Sequence, residues 1–164
     1  MRLTRVEIQA YRSLYNVTLI PDSFTVLVGP NNAGKTNLAD SLEFLGQVAR
    51  NGLEVAVSRE GGFENLAFRR ARRTRKPVRF AFEATMDGAE AARPLGTASG
   101  LKLRGSDVQG FQITIAYSFE LRASSESRDA DFRVTSEDLH MRLTRSDEKA
   151  AVHVRRRDST SRSR

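Results

Sequence analysis

Apolar and polar residues alternate through residues 3–10, Leu-Thr-Arg-Val-Glu-Ile-Gln-Ala, which puts Val6, Ile8 and Ala10 on one side. A period of two predicts a half-buried strand. Tyr11-Arg12-Ser13-Leu14 breaks the alternation, which resumes over 16–20 with Val17 and Leu19 inward. Pro21-Asp22-Ser23 then turns the chain. Phe24, Val26, Leu27 and Val28 make a nearly continuous apolar run, the pattern of a parallel strand covered on both faces. Beyond it the period changes. Leu38, Leu42, Leu45 and Ala49 follow one another at helical spacing and predict one apolar face. Asn37, Asp40, Ser41, Glu43 and Gln47 fall mostly on the other faces, and Asn51-Gly52 stops the helix.

Further on, Gly61-Gly62 marks a loop, and Phe63 to Phe68 is a short apolar segment that fits no one period. Val78, Phe80, Phe82 and Ala84 alternate with Arg79, Ala81, Glu83 and Thr85, so another strand is expected. Residues 87–110 carry Gly, Ala, Ser and charge with weak periodicity and suit a loop or a poorly ordered insertion. Phe111 to Leu121 gives the clearest strand: Phe111, Ile113, Ile115, Tyr117, Phe119 and Leu121 point one way. Phe132, Val134, Leu139, Met141 and Leu143 alternate in turn, which suggests an antiparallel meander. From Arg155 onward no apolar residue remains, so 155–164 is expected to be a disordered basic tail on a single domain, 1–154.

Composition narrows the classes. At 164 residues and 39% apolar content the chain can bury one ordinary core. No apolar run approaches the roughly 18 residues that span a bilayer, and the charged, alternating N-terminus is not a signal peptide. No membrane partner is expected. The chain has no cysteine, which rules out disulfides and cysteine-built zinc sites and fits a cytoplasmic setting. With only His140 and His153 as imidazoles, histidine-based metal or triad chemistry has little to work with. The net charge of +7 is local: Arg69, Arg70, Arg72, Arg73, Arg75 and Lys76 contribute +6 and the tail +4, leaving the rest of the chain at −3. Six neighbouring cations could grip a phosphate backbone. The same run also suits a solvated hairpin loop, and no aromatic residue lies inside it to stack a base.

Between the apolar run and the helix, Gly29-Pro30-Asn31-Asn32-Ala33-Gly34-Lys35-Thr36 satisfies every fixed position of the phosphate-binding loop G-x-x-x-x-G-K-[ST]. Two glycines let the backbone curl so that successive N–H groups face an anion. The following helix adds unpaired N–H groups and the positive end of its dipole. In such a loop the lysine, here Lys35, reaches the β- and γ-phosphates, and the Thr36 hydroxyl sits on a magnesium ion.

A start of the form R-V-x-I-x-x-Y-R-S-L, a second strand, and then V-L-V-G-P-N-N-A-G-K-T-N-L resembles the N-terminal part of ABC-type ATPase heads. The nearest group comprises RecF, the structural-maintenance-of-chromosomes (SMC) proteins and the overcoming-lysogenization-defect (OLD) nucleases with their relatives in phage defence. The resemblance is strong over residues 1–50 and looser at Phe63-Glu64-Asn65-Leu66 and Thr135-Ser136-Glu137-Asp138-Leu139. It implies an α/β P-loop NTPase lobe: an N-terminal antiparallel strand pair, a P-loop strand–helix unit and a β-meander. It also implies that Gly29 to Thr36 hold ATP phosphates and Mg2+, followed by Asn37, with Arg12 and Ser13 coming near the nucleotide. Such proteins close two heads on DNA, so a homodimer, a DNA partner and an attached or separate nuclease come with the resemblance.

The same family needs a second acidic motif, an apolar strand ending in Asp-Glu, to order magnesium and activate water. Neither Asp129-Ala130-Asp131-Phe132 nor Glu137-Asp138-Leu139 follows such a strand, and a Leu-Ser-Gly-Gly-like signature loop is absent. The sequence is therefore expected to be the first half of a head, truncated before those motifs, with little ATPase activity alone and an uncovered apolar face that invites dimerisation or a completing partner. The alternative is a non-catalytic DNA-binding or assembly subunit working through Arg69 to Lys76.

Overall fold

The alternation of the first strand is realised in a computed structural model, which describes residues 1–68, 76–91, 110–124, 132–145 and 148–157. Strand β1 (Arg2–Tyr11) buries Val6, Ile8 and Ala10 and pairs antiparallel with β2 (Leu14–Leu19), Ile8 opposite Val17 and Val6 opposite Leu19. Three helices follow, α1 (Lys35–Asn51), α2 (Leu53–Arg59) and α3 (Phe63–Leu66). Next come β3 (Val78–Asp87), the short α4 (Gly88–Ala91), β4 (Gln112–Ala123), β5 (Phe132–Arg145) and β6 (Glu148–Arg157). The fold is α/β. All the strands form one sheet in the order β2-β1-β3-β4-β5-β6, antiparallel at every pairing.

The core lies between one face of this sheet and the helices. Val6, Ile8, Val78, Phe80, Phe119 and Leu121 from the strands meet Phe44, Leu45, Val48, Ala56, Val57, Phe63 and Leu66. Its centre is aromatic: Tyr11 and Phe80 meet edge to face at 5.3 Å, Phe80 stacks on Phe119 at 5.4 Å, and Phe44 lies 5.4 Å from Phe80. Truncating a ring buried as Phe44 is costs about 3–5 kcal/mol, so this contact anchors α1 to the sheet. A smaller cluster of Met86, Ile113, Met141 and Leu143 closes the far end of the strands. The opposite sheet face is polar, with Arg5 paired to Glu7 at 2.6 Å and Arg122 to Glu120 at 2.7 Å.

Three local expectations change, and one helix appears where none is expected or excluded. Residues 24–28 form no strand and pair with nothing in the sheet; Phe24 is 83% exposed and Val28 86%. A parallel strand needs a parallel neighbour and cover on both faces, and every described strand pairing is antiparallel. The buried strip of α1 is Ser41, Phe44, Leu45 and Val48, while Ala49 is exposed. The strip is rotated because Phe44 seeks the aromatic cluster, and Ser41 is tolerated there by donating to the Leu38 carbonyl at 2.6 Å. Helix α2 occupies a stretch without a clear period, started at Gly52, whose φ of 82° ends α1 and whose N–H bonds the Val48 carbonyl at 2.9 Å. Finally, β6 continues through Arg155–Arg157, where the composition predicts a disordered tail, because pairing with Ser136–Asp138 supplies a hydrogen-bonding template that apolar patterning does not reveal. The remaining tail, 158–164, and the arginines of 69–75 lie outside the described residues.

Candidate nucleotide-binding site

The site is built where the β1–β2 turn meets the start of α1. Arg12 takes φ 47°, a left-handed conformation that closes the two-residue connection from Tyr11 to Leu14. Across from it, Gly34 caps α1 with φ 92° and ψ 8°. A Cβ at Gly34 would lie 3.2 Å from Leu14 Cδ2 and 3.4 Å from Ser13 Oγ, so glycine is required by conformation and by space. Asn32 also lies in the left-handed region, at φ 65°, and the Ala33 N–H donates to the Pro30 carbonyl at 3.3 Å. These departures curl Gly29, Pro30, Asn31, Asn32, Ala33 and Gly34 into a compact loop ahead of the helix.

Lys35 reaches back into that loop. Its Nζ donates to the carbonyls of Gly29 at 2.7 Å and Pro30 at 2.8 Å. The ammonium is thus held by two neutral acceptors, which phosphate oxygens can replace with stronger, charge-assisted bonds. The first turn of α1 carries no acidic residue and no side-chain cap, so its leading N–H groups and the positive dipole end face an anion without competition. Thr36 is exposed at the same end. Asn37 Nδ2 donates to Ser13 Oγ at 2.6 Å, joining the loop's helix to the β1–β2 turn.

The donor set fits a polyphosphate: one ammonium, an uncapped helix start, an exposed hydroxyl and a left-handed glycine with little room for a Cβ. It fits magnesium only as the phosphates' companion, because among the described residues no group of three or more His, Asp or Glu could hold a metal. Thr36 is the one expected protein ligand to that ion, with phosphate and water supplying the rest.

Arg12 has partners that sequence reasoning missed. Its guanidinium bridges Asp40 of α1 and Glu60, the latter at 2.5 Å, with its side chain 27% exposed. Its N–H also donates to the Leu66 carbonyl at 2.7 Å. A signal for this was present: Asn37, Ser41, Phe44 and Val48 follow one strip, and Asp40 stands beside it. The helix therefore meets the turn with its polar end and the sheet with its apolar middle. Beside Arg12, Tyr11 is wholly buried and its hydroxyl meets no hydrogen-bond partner among the described residues; burial keeps the phenol protonated well above its ordinary pKa.

Of the basic run only Lys76 is described, together with Phe68 just before it; Arg69, Arg70, Arg72, Arg73 and Arg75 lie outside the described residues. Lys76 Nζ donates to Tyr15 Oη at 2.6 Å. No described helix is long and apolar enough to cross a membrane.

An antiparallel hairpin leading into a phosphate-loop fingerprint and its helix defines a lobe of the P-loop ATPase class. A family model for the AAA ATPase domain matches residues 1–144, and the chain belongs to that family. Among solved structures it is similar to one from a study of ATP-driven dimerization and DNA-stimulated activation of SMC ATPases, at 18% identity. That similarity covers 97% of this chain and 73% of the other, with a TM-score of 0.40. No curated protein matches the chain.

Proposed function

We propose that this chain is the nucleotide-binding lobe of an ABC-type ATPase of the RecF, SMC and OLD-like group, taking Mg2+-ATP through Gly29 to Thr36 and acting on DNA in repair or phage defence. The observation that carries the reading is Lys35 Nζ held between the Gly29 and Pro30 carbonyls at an uncapped helix start. Lys35 neutralises phosphate charge, the loop and helix amides orient the β- and γ-phosphates, Thr36 meets the magnesium, and Ser13 and Asn37 brace the loop. Bound magnesium supplies neutralisation of charge on the phosphates. Arg69 to Lys76 are the DNA contact in this reading, and the cytoplasm is its compartment.

Hydrolysis by this lobe calls for groups from a second body. Asp40, the carboxylate nearest the helix start in sequence, is engaged by Arg12. The exposed apolar residues Phe24, Val26 and Val28 support completion by a partner or a second copy that covers them. The engaged Asp40 also favours a second reading, a non-hydrolysing DNA-binding or assembly subunit.

Calorimetry with Mg2+-ATP on the wild type and on Lys35→Ala, with light scattering on the same samples, tests both. Micromolar binding lost in Lys35→Ala supports the nucleotide lobe. A folded wild type that takes up no nucleotide, with DNA binding intact, leaves only the assembly subunit.

A further inference from the structure

The arginine-rich run contains no aromatic residue, yet the fold brings two to its root. Tyr15 stands on β2, an edge strand of the sheet, and remains 54% exposed. Phe68, the last described residue before the run, is half-buried, with its ring centroid 5.5 Å from that of Tyr15 and tilted by 57°. Its backbone N–H donates to the Ala10 carbonyl at 2.9 Å, and the neighbouring Ala67 bridges to Tyr11, so the Phe68 backbone is fixed against β1. From the other end of the run Lys76 returns to the same spot, its Nζ 4.5 Å from the Tyr15 centroid and bonded to Tyr15 Oη. That bond, and after it the positive charge of Lys76, favour the phenolate and lower the Tyr15 pKa. The two ends of a segment carrying six cations over 69–76 thus converge on one exposed phenol ring.

A half-exposed ring whose edge is fixed by the Lys76 ammonium, flanked by a second ring, offers a face on which a planar base can stack, with that ammonium beside it to meet an adjoining phosphate. We infer that Tyr15, Phe68 and Lys76 form a stacking platform for an unpaired base, so that the nucleic acid bound at the basic run is single-stranded or has an exposed end. This rests on the reading of 69–76 as a nucleic-acid contact and adds a preference among nucleic acids that charge alone does not give. A duplex keeps its bases stacked on each other and presents mainly phosphates, so it gains from the arginines but not from the ring.

The test uses the full chain, fluorescence anisotropy, a labelled oligothymidine and a labelled blunt duplex of equal length. Tyr15→Ala is expected to weaken oligothymidine binding by about 5- to 100-fold, leave the duplex unaffected and keep the salt dependence. Tyr15→Phe, which retains the ring and loses only the bond to Lys76, is expected to stay within about threefold of wild type. The double variant Arg72→Ala/Arg73→Ala should weaken both ligands and flatten the salt dependence. If Tyr15→Ala binds oligothymidine as wild type does while the arginine variant fails, the platform is refuted and the basic contact stands. Equal losses on both ligands also refute stacking. Absence of binding to either ligand by the folded wild type overturns the underlying nucleic-acid reading, and the platform with it.

Discussion

Asn37 Nδ2 and Ser13 Oγ share a 2.6 Å hydrogen bond that ties the first turn of α1 to the turn between β1 and β2. The bond lies beside the Arg12–Asp40 ion pair, which joins the same two elements, while the chain between them over residues 20–30 forms no strand. It is solvent-accessible, so its energetic contribution is modest, about 0.5–1.5 kcal/mol. Its larger role is to hold the phosphate loop's helix at a fixed place on the sheet. Ser13→Ala and Asn37→Ala should each lower the urea midpoint slightly, and the double variant should cost no more than either single change. Additive losses would show that the two side chains act independently.

Gly34 sets a stricter condition. Any residue with a Cβ must hold φ 92° and meet Leu14 and Ser13 at the same time. Gly34→Ala is expected to cost about 1–3 kcal/mol and to weaken Mg2+-ATP binding, because an L residue relieves the left-handed strain by reshaping the loop ahead of Lys35. Urea unfolding and calorimetry on one preparation measure the two effects. A variant with wild-type affinity would mean the loop binds in another conformation.

How far the sequence led can be judged at these same residues. The glycines, Lys35 and Thr36 are legible because a phosphate loop is a local backbone device whose requirements fall within eight consecutive positions. Strands β1, β3 and β4 are legible because one face of each is buried and the period of two survives in the residues. Residues 24–28 misled because an apolar run reports what a segment is suited to, while pairing depends on which strands are present beside it. The Arg12 bridge to Asp40 and Glu60, and the approach of Tyr15 to Phe68 and Lys76, join residues 28 to 61 positions apart; the helical strip of α1 hints at where Asp40 lies, but no local pattern names the partner across such a distance. The alternation of Phe111 to Leu121 sets Glu120 on the face opposite Phe119 and Leu121. It does face the polar side, but Arg79, Arg122 and Thr135 enclose it there.

That enclosure gives stability a pH dependence. Burial acts to raise the Glu120 pKa, but the bonds from Thr135, Arg122 and Arg79 outweigh it and hold the group below its ordinary value of about 4.5. With the folded pKa below the unfolded one, the stabilisation is complete above the ordinary value and is lost as pH falls through the folded pKa. Glu120→Gln should therefore reduce stability near neutrality and flatten its decline in the acid range. Urea midpoints taken from about pH 7 down to about pH 3.5 for both proteins test this; parallel curves would assign the acid sensitivity to other carboxylates.

Arg12 serves two carboxylates with one planar group, which lysine cannot reproduce. Both ion pairs are partly buried, so Arg12→Ala leaves Asp40 and Glu60 with unmet demand and should cost about 1–3 kcal/mol. Arg12→Lys, with a single ammonium, is expected to recover less than half of that. Denaturant unfolding of the three proteins distinguishes this from a merely electrostatic role, in which lysine would restore stability fully.

The exposed run Phe24–Val28 separates stability from association. Four of its five residues are apolar, and the described fold gives them no partner, so replacing them removes little intramolecular packing. Phe24→Ser and Val28→Ser should each change unfolding free energy by no more than about 0.5 kcal/mol, as for ordinary surface sites. The same surface is open to another molecule, where burying it is favourable at about 25 cal/mol per Å2 of apolar area. Light scattering of the wild type is therefore expected to show self-association that grows with concentration, and the double variant Phe24→Ser/Val28→Ser should scatter as a monomer. The β2 and β6 edges persist in that variant and provide the internal control: association that survives the two substitutions runs through the sheet edges, and the apolar run is then not the contact.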